Sequence, residues 1–244
     1  MSDINVNVSH SYGAHEVFQG LNFQIQPNEF VCILGKSGCG KSTLAKILAG
    51  LMKPSDGAVQ IGSEPIDLSR HELAFVFQEP ALWPWRNVTE NVRTGMEIKK
   101  RPKAQMDERA KKLIDLVGLN GFEKHYPHQL SGGMKQRASI ARAFAVDADL
   151  ILMDEPFAAL DAQTREFMQK EVLRIWEQHK HTVVFITHGI EEAILLAERI
   201  IVLGANPGRI IADFKVDLKR PRNFADPGFI EIRQKISGLI GGSH

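Results

Sequence analysis

Several things are scarce in this chain, and each scarcity excludes something. Its 244 residues hold two cysteines, Cys32 and Cys39, too few for a disulfide scaffold or a four-ligand zinc site. Both lie in glycine- and aliphatic-rich stretches, and reduced thiols suit a cytosolic chain. Charge of one sign is missing too: 30 Lys and Arg against 29 Asp and Glu leave a formal net charge of +1. Nucleic-acid binders usually carry a basic excess, so no nucleic-acid partner is expected. No apolar run approaches the roughly 18–20 residues that span a bilayer. The longest, such as Leu150–Met153, Val183–Ile186 and Ile200–Leu203, are of strand length. The first residues lack the basic start and apolar stretch of a secretion signal, so neither export nor a membrane span is expected. With 24% charged and 43% hydrophobic residues, the composition is globular and excludes collagen-like or disordered chains.

What is present alternates between strand and helix patterns. Ile4, Val6 and Val8 alternate with polar neighbours, as in a half-buried strand. Phe30–Leu34 is continuously apolar and ends at Gly35, which predicts a strand buried on both faces. Leu44, Ile47, Leu48 and Leu51 then recur at helical spacing until Gly50. Gly57–Ile61 and Leu73–Phe77 read as two further strands. From Glu79 to Asp147 helix signals take over. Met106, Ala110, Leu113 and Val117 share a face that stops at Gly118, and Ser131 caps a helix turning Met134, Ala138, Ala141 and Ala145 inward. The α/β pattern then resumes with Leu150–Met153, a helix carrying Met168, Val172 and Ile175, and Val183–Ile186. A helix with Ile190, Ala193, Ile194 and Ala197 follows, then a hairpin of Ile200–Leu203 and Ile210–Leu218 across Asn206-Pro207-Gly208. A last helix opens at Asp226-Pro227 and bears Phe229, Ile232, Ile236 and Ile240.

The strongest local motif is Gly35-Lys36-Ser37-Gly38-Cys39-Gly40-Lys41-Ser42, which fits G-x-x-x-x-G-K-[ST]. Its glycines let backbone N–H groups converge on phosphate oxygens, and the following helix points its positive end at the same anion. Lys41 can reach the β- and γ-phosphates, and the Ser42 hydroxyl can ligate magnesium. The apolar strand before it and the helix after it make this a phosphate-binding loop rather than a flexible turn. Leu150–Met153 ends in Asp154 and Glu155, which places two carboxylates at the edge of a parallel sheet where ligands bind. Asp154 can reach the magnesium shell, and Glu155 can orient or deprotonate water.

With those residues in place, the chain resembles the nucleotide-binding subunit of an ATP-binding cassette (ABC) transporter over essentially its whole length. Tyr12 resembles the aromatic residue that stacks on adenine, and Gln78 the Q-loop glutamine. Leu130-Ser131-Gly132-Gly133-Met134-Lys135-Gln136-Arg137 resembles the signature motif. Ala159-Leu160-Asp161 resembles the D-loop, and His188 the switch histidine. The resemblance implies an α/β P-loop NTPase (RecA-like) core with an N-terminal antiparallel β subdomain and an inserted helical signature subdomain. The core with its β subdomain is expected at 1–78 and 148–244, and the helical subdomain at about 79–147.

It also implies ATP and Mg2+ as ligands. Catalysis falls to Glu155, His188 and Lys41. The metal falls to Ser42, Gln78 and Asp154. Nucleotide contacts run from Gly35 through Thr43 and add Tyr12, Gln78 and Asp161. In this family Ser131, Gly132 and Gly133 face the γ-phosphate held by a second cassette, so a head-to-tail pair of cassettes, most simply a homodimer, is implied. The remaining implied partners are permease subunits, contacting Gln78 to Val88, and an external solute-binding protein. The location implied is peripheral, on the cytoplasmic face of the inner membrane.

Met134, Ala158 and Gly189 stand where glutamine, serine and an acidic residue are commoner in the family. The methionine form, the segment Pro156 to Arg165, Leu82 to Val88, and Pro207-Gly208-Arg209-Ile210 resemble the nitrate, sulfonate and taurine branch of bacterial importers. Exporter and lipid-transport cassettes share the catalytic motifs and remain an alternative. Non-transport ABC ATPases usually add tandem cassettes, long coiled coils or basic arms, none of which is present. Trp83 and Trp85 suit either a core or the groove that receives a permease helix.

Overall fold

The continuous apolar runs set the centre of the molecule. In the computed structural model, which describes residues 2–205 and 207–241, each becomes a strand buried on both faces. In β3 (Phe30–Gly35), Phe30, Cys32 and Leu34 enter one core while Val31 and Ile33 enter another. The period of two repeats in β7 (Leu150–Asp154), where Ile151 and Met153 part from Leu150 and Leu152. In β8 (Thr182–Thr187), Val183 and Phe185 likewise part from Val184 and Ile186. Each fully buried aliphatic or aromatic side chain stabilises the fold by about 1.5–3 kcal/mol, so these strands anchor everything around them.

They belong to a sheet of six strands in the order β10-β9-β3-β8-β7-β6, with β6 spanning Leu73–Val76, β9 Arg199–Gly204 and β10 Arg209–Lys215. All neighbours are parallel except the β9–β10 hairpin at the edge. A second sheet, antiparallel and ordered β2-β1-β4-β5, comprises β1 (Ile4–Tyr12), β2 (His15–Ile25), β4 (Asp56–Ile61) and β5 (Glu64–Pro65). Its apolar face, with Ile4, Val6 and Val8, closes over one side of the main sheet, and α1 (Lys41–Leu48) is held in that core by Leu44, Ala45, Ile47 and Leu48.

The opposite face carries the helices. These are α2 (Val88–Ile98), α3 (Lys103–Leu116), α4 (Gly132–Ala145), α5 (Ala162–His179), α6 (Ile190–Leu196) and α7 (Pro227–Gly241). Met106, Ala110 and Leu113 are the buried stripe of α3, and Gly118 turns the chain with φ 65°. Helix α2 has its own start signal: Asn87 accepts from the Glu90 amide while the Glu90 carboxylate accepts from the Asn87 amide, a reciprocal cap worth about 1 kcal/mol.

Two expected boundaries move by more than one residue. Helix α1 stops at Leu48 because Gly50 turns left-handed at φ 67°, leaving Leu51 53% exposed instead of continuing the apolar stripe. The last strand ends at Lys215, short of Leu218. Of the hairpin turn, Asn206 lies outside the described residues, and Gly208 donates its amide to Val17 O at 2.7 Å.

Candidate functional site

Strand order dictates what meets at the carboxyl edge of the main sheet. Four neighbouring strands, β3, β8, β7 and β6, deliver in turn the glycine-rich loop, His188, Asp154 with Glu155, and Gln78. Residues far apart in sequence therefore arrive side by side, as ligands of open α/β sheets require.

Between β3 and α1 the loop leaves Lys36, Ser37 and Gly38 exposed, while Lys41, the first residue of α1, is 5% exposed. Gly38 and Gly40 have φ of 84° and 92°, a region that disfavours any residue with a Cβ. A Cβ on Gly40 would lie 2.7 Å from Val17 Cγ1 and 2.9 Å from Phe18 Cδ1, so β2 buttresses the loop from behind. The Lys41 ammonium donates to Gly35 O at 2.8 Å and Lys36 O at 3.0 Å, which folds the loop around it. Ser42 is exposed and Thr43 half-buried in the first helical turn. Cys39 is 1% exposed and packs into the core behind the loop, where burial raises its thiol pKa. Only its backbone can serve the loop.

Asp154 ends β7 and is 6% exposed. Burial raises its pKa, a hydrogen bond from Ser42 opposes that shift, and its Oδ1 is buried without a hydrogen-bond partner. An orphaned carboxylate oxygen beside a serine hydroxyl fits a hard cation, which prefers oxygen ligands. Among the described residues no three His, Cys, Asp or Glu side chains gather to hold a metal alone. That suits magnesium, which usually binds one or two protein groups with water and substrate phosphates.

Glu155 leaves the strand with φ 44°, a left-handed conformation that costs a non-glycine residue about 1–2 kcal/mol. Its amide donates to Ile186 O at 2.9 Å, fixing the turn. This backbone turn, more than the alternation of a strand, aims Glu155 differently from Asp154. The carboxylate lies 3.9 Å from Lys41 Nζ and 3.1 Å from His188 Nδ1, while His188 is 59% exposed. Tyr12 is 52% exposed, meets His10 edge-on at 4.8 Å and donates to Met52 Sδ at 3.5 Å.

On the helical side Ser131 is the N-cap of α4 and accepts from the Met134 amide at 3.2 Å. Gly132 and Gly133 open the helix itself, although the sequence marks them as poor residues for a helix start. Gly133 has a packing reason within the chain, since a Cβ there would meet Leu160 Cδ2 at 3.2 Å; nothing lies within 4 Å of one on Gly132. Asp161 caps α5, accepting from Thr164 N at 2.9 Å and Thr164 Oγ1 at 2.7 Å, and the Thr164 amide holds its carboxyl below the usual range.

A phosphate loop, a buried orphan carboxylate, a strained carboxylate beside a histidine, and a serine-glycine helix start thus share one chain. A family model described as ABC transporter matches residues 18–158. The chain is 48% identical to an uncharacterized ABC transporter ATP-binding protein of Methanocaldococcus jannaschii, over 92% of this chain and 84% of that one. It is 42% identical to the aliphatic sulfonates import ATP-binding protein SsuB of Bacillus cereus, over 97% and 93%. Among solved structures, a dimeric ATP-binding cassette in a post-hydrolysis state with ADP and Pi is similar at a TM-score of 0.79 and 33% identity, covering 89% of this chain and all of that one. The chain belongs to the ABC transporter family. It is an ATP-binding, ATP-hydrolysing cassette with the P-loop NTPase fold.

The segment after β6 leaves Gln78 exposed and continues to α2. Trp83 and Trp85 are 43% and 67% exposed with ring centroids 5.1 Å apart, so neither is a core residue. Fully buried Asn91 holds the main chain beneath them, accepting from Trp83 N at 2.8 Å and donating to Arg86 O at 2.8 Å. Sequence reasoning gave no role to Gln136 or Arg142, yet both tie the signature helix to this segment. Gln136 Nε2 donates to Phe77 O at 3.1 Å, and Arg142 Nη1 to Ala81 O at 2.7 Å. Neither pairing is legible in the sequence, because the partners are carbonyls 59 and 61 residues away along the chain. Val17 behind Gly40 was likewise invisible as a loop buttress.

Proposed function

We propose that this cassette is the ATP-hydrolysing subunit of an importer, that it works as a pair beneath a membrane permease on the cytoplasmic face of the inner membrane, and that its cargo is an aliphatic sulfonate or a similar small anion. The observation that carries the hydrolytic reading is Glu155: a strained carboxylate set beside His188 and Lys41 at the edge where Asp154 ends its strand. The importer reading draws on the sulfonate-import relative, which is similar over nearly the whole of both chains. Pairing draws on the dimeric cassette of matching fold.

Each residue has a stated part. Backbone amides from Gly35 to Thr43 cradle the phosphates, Lys41 exchanges its carbonyl partners for the β- and γ-oxygens, and Tyr12 stacks on the adenine. Ser42, Asp154 and Gln78 would hold Mg2+, which when bound neutralises charge on the β- and γ-phosphate oxygens. Glu155 orients or deprotonates the attacking water, and His188 holds a γ-phosphate oxygen. Ser131, Gly132 and Gly133 present the α4 amino terminus, worth about 0.3–1 kcal/mol toward an anion, to the nucleotide of the partner cassette. Asp161 lies at the junction of the two sites. Residues 1–78 and 148–244 form the catalytic core with its β subdomain, and 79–147 the helical unit that meets the permease through the exposed Trp83 and Trp85.

Binding closes the pair and hydrolysis reopens it, so chemistry gates transport. Reconstitution with its permease and a solute-binding protein tests this. ATPase stimulation by a loaded sulfonate-binding protein is expected. Stimulation without a binding protein, from the substrate of an exporter, would refute import.

A further inference from the structure

Helix α6 begins without a side-chain cap on Gly189, although Glu192 sits where a capping acid belongs. Its carboxylate works one step removed. Thr187 Oγ1, 2% exposed as a residue, donates to Glu192 Oε2 at 2.6 Å and accepts from the Gly189 amide at 2.9 Å. Those two residues flank His188, so the backbone on both sides of the switch histidine hangs on Glu192.

The other oxygen faces α5. Gln169 Nε2 donates to Glu192 Oε1 at 3.3 Å, and Arg165 Nε lies 3.9 Å from it. Arg165 in turn donates from Nη2 to Leu160 O at 3.1 Å, the carbonyl immediately before Asp161. Glu155, His188, Arg165, Gln169 and Glu192 line one cavity of about 450 Å³. Gly189 permits the approach: a Cβ there would meet the Glu192 carboxyl group at 3.3 Å. The glycine in place of the acidic residue commoner in the family therefore has a local reason, since it leaves room for the Glu192 carboxylate.

We infer that Glu192 is a positioning residue that ties the D-loop to the switch histidine through Arg165 on one side and Thr187 on the other. Displacing the D-loop moves the Leu160 carbonyl, Arg165 follows it, and the Thr187–His188–Gly189 backbone is re-aimed through one carboxylate. The partner cassette's approach to Asp161 is thereby reported to His188 of the same chain. This rests on the reading above that His188 serves the γ-phosphate and that Asp161 lies at the junction of the paired sites.

Steady-state kinetics with magnesium-ATP test it on the full chain. Glu192→Ala should lower kcat about tenfold, the equivalent of one charge-assisted hydrogen bond, with KM and ATP affinity within about twofold of the parent. Glu192→Gln, which keeps an acceptor for Thr187, should recover most of the rate. Arg165→Met should lower kcat similarly, and adding it to Glu192→Ala should cost nothing further, the mark of residues acting through one path. Full kcat in Glu192→Ala, additive losses in the double variant, or equal falls in ATP affinity and thermal stability would overturn the assignment. If Glu192→Ala does not fold, unchanged kcat in Arg165→Met overturns it instead. His188→Ala separates the two levels: full turnover there removes the site reading and this inference with it. A dead His188→Ala beside a fully active Glu192→Ala removes this inference alone.

Discussion

Replacing Gly40 by alanine measures how tightly the phosphate loop is fitted to β2. The backbone there has φ 92°, and the new methyl would lie 2.7 Å from Val17 Cγ1 and 2.9 Å from Phe18 Cδ1. Phe18 is fully buried and has no room to swing away. Left-handed strain contributes about 1–2 kcal/mol and overpacking about 1–3 kcal/mol. The sum, about 2–5 kcal/mol, corresponds to a Tm lower by about 4–20 °C at roughly 2–4 °C per kcal/mol for a chain of this size. Gly38→Ala is the control, because Gly38 has φ 84° but nothing within 4 Å of the added carbon. It should show the strain alone, about 1–2 kcal/mol. Thermal unfolding of both variants, paired with ATP titration, separates the two contributions. Equal Tm values for Gly40→Ala and Gly38→Ala would refute the buttress, as would parental ATP affinity in Gly40→Ala.

Two further predictions concern other faces of the molecule. Burial holds the His181 pKa below the ordinary histidine value of 6.5. The unfolded chain therefore binds a proton first on acidification, so stability should fall as pH drops through about 6.5 and level off below the folded-state value. His181→Gln should flatten that slope in Tm against pH, and an unchanged slope would refute the assignment. Trp85→Ala, at a side chain 67% exposed, should change stability by no more than about 0.5 kcal/mol. ATP binding should stay intact while permease-stimulated ATPase drops; loss of folding or of ATP binding would contradict docking.

How legible each part was follows from where its partners lie. The glycine loop and the strand-end carboxylates could be read because phosphate and cation chemistry demands particular residue types in contiguous runs. The buried strands could be read because burial on both faces leaves no polar position in Phe30–Leu34 or Val183–Ile186. Helix α2 went unnoticed although Asn87 and Glu90 are spaced as a cap and Val88, Val92 and Met96 repeat every four residues. Gln136, Arg142 and Glu192 are a different case, since each acts on atoms that only the tertiary fold brings near. Composition could not decide whether Trp83 and Trp85 face a core or solvent; the Asn91 amide, by fixing the main chain beneath, turns them outward. The close approach of Gly133 to Leu160 was not legible in the sequence, since it depends on a contact that only the fold creates.

The central claim is that Glu155 handles the attacking water while the neighbouring loop and Lys41 bind the nucleotide. Glu155→Gln, assayed for ATP turnover and ATP affinity on one preparation, tests it most directly. Loss of a general base predicts turnover lower by about 10²–10⁴-fold, with ATP affinity retained and a closed dimer accumulating in ATP. Parental turnover in Glu155→Gln would contradict the account.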